Sequence, residues 1–285
     1  MTDALAAAEA DLRRRLRELA PVVVAFSGGV DSSYLLAVAH DELGGACAAV
    51  IADSPSLPRA GLAEAQAFCA ARGIPLAVEP LDECQVPGVA ANGPDRCYHC
   101  KAALMAMLAD HCRRQGGART VLLGAVADDA GDYRPGMRAA REAGARFPLL
   151  EAGLAKAQVR ELSRRLGLPT ADRPASPCLS SRFPYGETIT ADGLRRVEAA
   201  EAALRALGFA ECRARHHRLG QGPGALCRIE VPAARLAEAF AQRDEIVRRV
   251  RAAGFAQVAL DLAGLVSGGF NAQVAASERQ RIAGG

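Results

Sequence analysis

Ser27-Gly28-Gly29-Val30-Asp31-Ser32-Ser33 follows the apolar run of residues 21–26 (PVVVAF) and opens a stretch with helical spacing through Leu35, Leu36 and Ala39. A strand that feeds a helix through two glycines makes an anion site. The free N–H groups and positive dipole end of a helix N-terminus face the loop. Glycine lets the backbone come close to phosphate oxygens. The hydroxyls of Ser27, Ser32 and Ser33 can add hydrogen bonds. Asp31 repels a bare phosphate, so its presence points to a nearby Mg²⁺ or to a helix cap. The lysine of a Walker loop is absent, which argues against γ-phosphate hydrolysis of the usual kind.

Working outward, residues 2–19 read as an amphipathic helix. Further strands are predicted at 46–52, 74–78 and 120–124, and helices at 61–72, 101–114 and 156–166. Short apolar strands alternating with helices predict an α/β fold: a parallel sheet covered on both faces, with ligands bound outside the carboxyl ends of its strands. Loops 27–33, 53–60, 92–100 and 124–136 fall at that edge. After about residue 185 the pattern changes to a smaller α+β unit. It has a helix over 190–207, strands at 212–217 and 226–231, a long helix over 233–252 and a last strand at 257–262. The expected division is a nucleotide domain over 1–185, a substrate or oligomerisation domain over 186–270, and a frayed tail.

The 285 residues carry a formal net charge of +3, half are hydrophobic and 4% are aromatic. No basic stripe of the kind that binds nucleic acid is present, since Arg13-Arg14-Arg15 reads as a solvated helix face. No apolar run reaches the length of a membrane span, and residues 1–20 lack signal-peptide order. A cytoplasmic setting is expected, in which the nine cysteines stay reduced. Cys47 and Cys69 read as small buried hydrophobes. Cys97 and Cys100, in a segment read as a Gly/Pro loop before a helix, have the spacing to grip one metal or cluster, but no second pair completes a zinc site. Cys178 lies in a polar, irregular stretch. Three cysteines can hold three irons of a cubane and leave the fourth open. Arg213 and Arg215 alternate in a strand and should share a face, with Arg228 on its neighbour, as a fork for phosphate.

Residues 27–33 match the pyrophosphate loop (SGGxDS) shared by GMP synthetase, NAD synthetase, asparagine synthetase and tRNA-thiolation enzymes. Residues 10–270 as a whole resemble the LarE family of ATP-dependent sulfur transferases, which build the nickel-pincer nucleotide of lactate racemase. The matching strings are SGGVDSS, RCYHCK (residues 96–101), Asp128-Asp129 with Asp132-Tyr133-Arg134-Pro135-Gly136, residues 147–169 and, most specifically, residues 175–186 (ASPCLSSRFPYG).

The resemblance implies a five-stranded adenine-nucleotide α-hydrolase-like, Rossmann-like sheet and cleavage of ATP to AMP and pyrophosphate. It implies adenylylation and then thiolation of both carboxylates of pyridinium-3,5-biscarboxylic acid mononucleotide. The nucleotide contacts it implies are Ser27, Gly28, Gly29, Asp31, Ser32, Ser33, Asp53, Lys101, Gly124 and Asp129, with Mg²⁺ on Asp31. Cys97, Cys100 and Cys178 would be catalytic, holding a [4Fe–4S] cluster, although some members lack the pair and sacrifice a cysteine sulfur instead. Arg213 and Arg215 would bind the substrate phosphate, and Glu201 and Glu230 would be acidic positions suited to metal. Expected partners are the mononucleotide, a sulfide donor, other cofactor-maturation proteins and further copies of the chain in a homo-oligomer. Nucleic acid and membrane are not expected.

Val266, Leu123 and Ala125-Val126 depart from the family pattern and bear on the anion and adenylate contacts. Rival readings are a tRNA-thiolation enzyme, disfavoured by the low charge; an amidotransferase subunit, which lacks a glutaminase segment; and a nucleotide sensor or cluster carrier.

Overall fold

The computed structural model describes residues 3–117, 119–131, 135–174, 177–220, 222 and 224–266. In chain order the elements are α1 (Asp3–Leu19), β1 (Val22–Ala25), α2 (Val30–Leu43), β2 (Cys47–Asp53), α3 (Arg59–Ala71), β3 (Leu76–Pro80), α4 (Pro87–Ala90), α5 (Arg96–Arg114), β4 (Thr120–Leu122), α6 (Pro135–Glu142), α7 (Pro148–Glu151), α8 (Lys156–Arg165), α9 (Ala191–Ala206), β5 (Arg213–Arg218), β6 (Ala225–Glu230), α10 (Leu236–Ala241), α11 (Arg243–Ala252) and β7 (Gln257–Leu260). They form two compact units. One comprises 1–82 and 97–176, the other 83–96 and 177–285.

The first unit is a parallel sheet in the order β3-β2-β1-β4. Residues alternate between its faces because strand side chains have a period of two. Val22 and Val24 join Leu35, Leu36, Leu12, Leu16 and Leu149 in one core. Val23 and Val50 join Met105, Leu108 and Phe147 in another. With both faces covered, the strands read as unbroken apolar runs, and α2 is buried from Ser32 to Ala39. The expected fifth strand is reduced to one parallel bridge between Leu122 and Arg146. Pro148, at the start of α7, cannot donate a ladder hydrogen bond and pre-sets a helical φ, so the strand stops where the helix begins.

The second unit packs α9 and α11 over a mixed sheet in the order β5-β6-β7, with β5–β6 antiparallel and β6–β7 parallel. Leu194, Val197, Leu204, Phe209, Cys227, Ile229 and Val250 fill its core. Thr190 caps α9, its Oγ1 accepting from Gly193 N at 3.1 Å.

Three expectations change. The helix expected from residue 101 starts at Arg96, so RCYHCK forms its opening turns instead of a loop. The helix expected over 233–252 is a 3₁₀ turn followed by two helices broken at Gln242. The expected boundary near 185 lies between 176 and 177 in the structure, and residues 83–96 join the second unit. The expected tail and Ser267 lie outside the described residues, as do Asp132, Tyr133, Arg134, Ala175 and Ser176. Among the described residues no helix is long and apolar enough to cross a membrane.

Candidate active site

In the first unit the loop after β1 is built from its backbone. Gly28 has φ +71°, a conformation glycine adopts without strain, while Gly29 is extended and precedes the first residue of α2. Ser32 Oγ stitches the loop together: it lies 2.9 Å from Ser27 Oγ, donates to Gly29 O at 3.2 Å and sits 3.3 Å from Ser27 N. Arg173 Nη1 donates to Gly28 O at 2.7 Å and also pairs with Glu64, fixing the far side of the turn. Gly124 lies just past β4. A Cβ there would sit 2.7 Å from Ser32 N and 2.9 Å from Asp31 C, so only glycine lets these two chain segments touch. Ser33 Oγ is buried with no hydrogen-bond partner among the described residues.

Asp31 does not cap α2. Its carboxylate is gripped by Lys156 Nζ at 2.6 and 2.7 Å, both side chains half-buried. Lys156 opens α8, and its backbone N–H donates to Asp128 Oδ2 at 2.6 Å. Thus an acid expected near Mg²⁺ stands beside an ammonium, and the N-termini of α2 and α8 carry opposite charges at one place. Asp129 is buried and turned inward, its Oδ2 accepting from Val126 N at 2.9 Å. Asp53 ends β2 and pairs with Arg59. Lys101 stands on α5, where a Cβ at Gly136 would meet Lys101 Cβ at 3.5 Å and Cys97 O at 3.0 Å.

Five of the nine cysteines are buried: Cys47, Cys69, Cys112, Cys212 and Cys227. Burial pushes the thiols of Cys69 and Cys212 up to about 11 and that of Cys47 to about 12, which keeps them protonated and unreactive. Cys97 and Cys178 are exposed, and Cys100 is half-buried. Cys97 and Cys100 are one turn apart on α5 and share a face.

In the second unit the Cys178 segment rests on buried cations. Arg182 is 2% exposed; its Nε and Nη2 take the two carboxylate oxygens of Glu201 at 2.7 and 3.1 Å. Its Nη1 donates to Pro177 O at 2.9 Å, Cys178 O at 3.2 Å and Ser181 Oγ at 2.8 Å. Arg215 forks to Glu230 at 2.8 and 3.0 Å and donates to Ser181 O at 2.9 Å. Arg96 Nη1 donates to Ser180 O at 2.9 Å and to Asn92 Oδ1 at 2.7 Å. Asn92 Nδ2 donates to Pro184 O at 2.7 Å and Glu187 O at 3.0 Å. Glu201 and Glu230, expected as acidic metal positions, therefore face guanidinium groups. Within neither unit do three His, Cys, Asp or Glu side chains of described residues converge as a metal set.

Arg213 is half-buried and donates to Cys212 O at 2.7 Å. Burial and the neighbouring cations Arg182 and Arg215 pull its pKa down, the signature of positive charge that an anion would relieve. Arg228 pairs with Glu230 and Asp261. Lys156, Asp128 and Arg173 support the loop of residues 27–33, and Asn92, Arg96 and Arg182 support the Cys178 segment; none of them was among the expected contacts. Lys156, Asp128, Arg96 and Arg182 sit inside the matching strings, whereas nothing local marks Asn92.

No protein-family model matches the chain. It is 42% identical to an uncharacterized protein of Synechocystis sp. over 264 residues, 92% of this chain and 96% of the relative. It is 24% identical over 241 residues to an uncharacterized protein of Methanocaldococcus jannaschii, covering 85% and 89%. It is also 39% identical over 268 residues to the pyridinium-3,5-bisthiocarboxylic acid mononucleotide synthase of Lactiplantibacillus plantarum, covering 94% of this chain and 95% of that one. Identity at that level along nearly the whole of both chains places this one in the LarE family of pyridinium-3,5-bisthiocarboxylic acid mononucleotide synthases.

Proposed function

We propose that the chain is an ATP-dependent sulfur transferase that adenylylates the carboxylates of pyridinium-3,5-biscarboxylic acid mononucleotide and converts them to thiocarboxylates. The observation that carries this is the loop of residues 27–33 with Asp31 against Lys156, in a chain that shares 39% identity with the synthase. In the first step a substrate carboxylate oxygen attacks the α-phosphorus and pyrophosphate leaves. The backbone of residues 27–29 and the hydroxyls of Ser27, Ser32 and Ser33 receive the departing phosphates. Lys156 supplies positive charge beside them, and Asp31 is the residue that would take Mg²⁺, which would neutralise phosphate charge. Asp53, Lys101, Gly124 and Asp129 complete the nucleotide contacts.

In the second step a sulfur nucleophile attacks the activated carbonyl carbon, AMP leaves, and a thiocarboxylate remains. Arg213 holds the substrate phosphate, and Arg215, already forked to Glu230, adds to the field around it. Cys97, Cys100 and Cys178 are the residues that would hold a [4Fe–4S] cluster. Their fit rests on exposure, since Cys97 and Cys178 are open to solvent and Cys100 lies one turn from Cys97. The cluster, when bound, supplies an open iron for sulfide.

The test is anaerobic purification with iron and sulfide analysis, followed by turnover with ATP, the mononucleotide and added sulfide. We expect substrate-dependent pyrophosphate release, sulfide-dependent turnover, an unchanged chain mass and loss of iron when any of the three cysteines becomes alanine. An iron-free chain that turns over once and leaves dehydroalanine at Cys178 overturns the cluster. Pyrophosphate release that ignores the mononucleotide overturns the function.

A further inference from the structure

The guanidinium of Arg182 has two separate jobs. Its Nε–Nη2 edge faces Glu201, which is fully buried, also receives Arg205 Nη2 at 2.8 Å and accepts from Ala214 N at 3.2 Å. Its Nη1 faces the other way, onto Pro177 O, Cys178 O and Ser181 Oγ. The first edge neutralises a buried carboxylate, which a fold requires. The second does nothing for that carboxylate. It turns the carbonyls on either side of the Cys178 Cα, those of Pro177 and Cys178, inward. The same short segment is held at Ser180 O by Arg96 and at Ser181 O by Arg215. Ser181 N donates to Cys178 O at 3.0 Å and Phe183 N to Ser180 O at 3.3 Å, closing a turn just after the cysteine. A carbonyl row aimed at buried cations leaves the Cys178 side chain facing solvent, and Cys178 is exposed while Leu179 and Ser180 behind it are buried.

From this geometry we propose that Arg182 is a positioning residue for Cys178: its Nη1 contacts fix the backbone that presents the thiol, independently of the ion pair that stabilises the fold. The proposal rests on the reading of Cys178 as a sulfur-handling residue. Positioning matters because an error of about 1 Å in the placement of a reacting group can cost on the order of a hundredfold in rate. On this view Glu201 and Glu230 are counter-ions that set the direction of Arg182 and Arg215.

Arg182→Lys separates the two jobs. An ammonium retains charge opposite Glu201, but it has no planar fork with which to face the carboxylate and the loop together. The variant is compared with Cys178→Ala and with the double variant in three measurements: pyrophosphate release, thiocarboxylate formation and amide exchange at Ser181 and Phe183. For Arg182→Lys we expect pyrophosphate release within about twofold of wild type, sulfur transfer down roughly tenfold or more and faster exchange at both amides. The double variant should match Cys178→Ala alone.

Wild-type sulfur transfer with unchanged exchange in Arg182→Lys overturns the proposal. So does equal loss of both chemical steps. Should Arg182→Lys not fold, Ser181→Ala carries the test, because it removes the Oγ acceptor of Arg182 Nη1 and leaves the pair with Glu201 in place. The same split between the two steps supports the proposal, and no split overturns it. If Cys178→Ala itself transfers sulfur normally, the functional reading of Cys178 fails, while the amide exchange of Arg182→Lys still reports whether the clamp exists.

Discussion

The loops at residues 27–33 and 177–187 both present chemistry at the end of a turn, and they are held in opposite ways. The first is closed by its own backbone and hydroxyls, with Gly28 in the left-handed region and Ser32 bonding within seven residues, and is braced from outside by Arg173 and Gly124. The second is held by side chains from far along the chain: Asn92, Arg96 and Arg215 reach it across 34 to 95 residues. A locally closed loop sets the direction of its own backbone N–H groups and takes only bracing from distant residues, which suits an anion. A remotely built loop places a single side chain, and its accuracy is that of the scaffold around it.

The strongest way to break this contrast is at the local loop. Asp31→Asn removes the carboxylate proposed for Mg²⁺ and leaves Lys156 without its acid. Pyrophosphate release should fall by roughly a hundredfold or more, the scale of several kcal/mol that a metal site supplies. Gly29→Val should do the same with the fold intact, because a Cβ there meets only Ser27 Oγ at 3.6 Å. Pyrophosphate assays beside thermal melts decide this, and near-normal release by both variants removes the nucleotide site from residues 27–33.

Next in size is Arg213→Ala, which should raise the apparent KM for the mononucleotide by about tenfold to a hundredfold, the value of one charge-assisted hydrogen bond of roughly 1.5–3 kcal/mol. The KM for ATP should stay put. A rise in the ATP value instead would move Arg213 to the nucleotide end. Gly124→Ala tests how strictly the local loop is packed. Its new Cβ meets backbone atoms, which cannot swing aside, so a loss of about 1–3 kcal/mol is expected in denaturant melts. An unchanged midpoint would mean that β4 and α2 yield easily.

The smallest effect is one of pH. Glu245 is held down to about 2, from an ordinary 4.5, by hydrogen bonds from Arg248 and Arg249. A depressed carboxyl stabilises the fold above the unfolded value and loses that contribution as pH falls through the folded one. Melting temperature should therefore decline between about pH 4.5 and 2, slightly less steeply in Glu245→Gln. The site is exposed, so salt should mute the difference.

The local loop was legible because its information lies in consecutive residues: an apolar strand, two glycines, hydroxyls and a helical phase. The parallel sheet was legible for the same reason, down to the covered faces implied by Val22, Val23 and Val24 in a row. The extension of α5 back to Arg96 was missed because Gly93-Pro94 reads as loop on both sides, and the spacing of Cys97 and Cys100 suits a loop or a helix. The break at Gln242 was missed because Ala239, Ile246 and Val250 keep helical phase across it. The role of Asn92 could not have been found at all, since the carbonyls to which it donates lie 92 and 95 residues away and its own neighbours are ordinary turn residues. Lys156 stood in a quoted string, yet nothing near it in sequence announces Asp31.

The membership of residues 83–96 in the second unit sets an order of events during synthesis. Asn92 leaves the ribosome well before Pro184 and Glu187. At roughly 5–20 residues per second, a gap of 92 to 95 residues is about 5 to 19 s. For that interval the residue that will staple the cysteine loop has nothing to staple. The parallel sheet can close meanwhile, because its last strand ends at Leu122. The nascent chain thus passes through a stage in which the parallel sheet and residues 27–33 are already made and the cysteine loop is not.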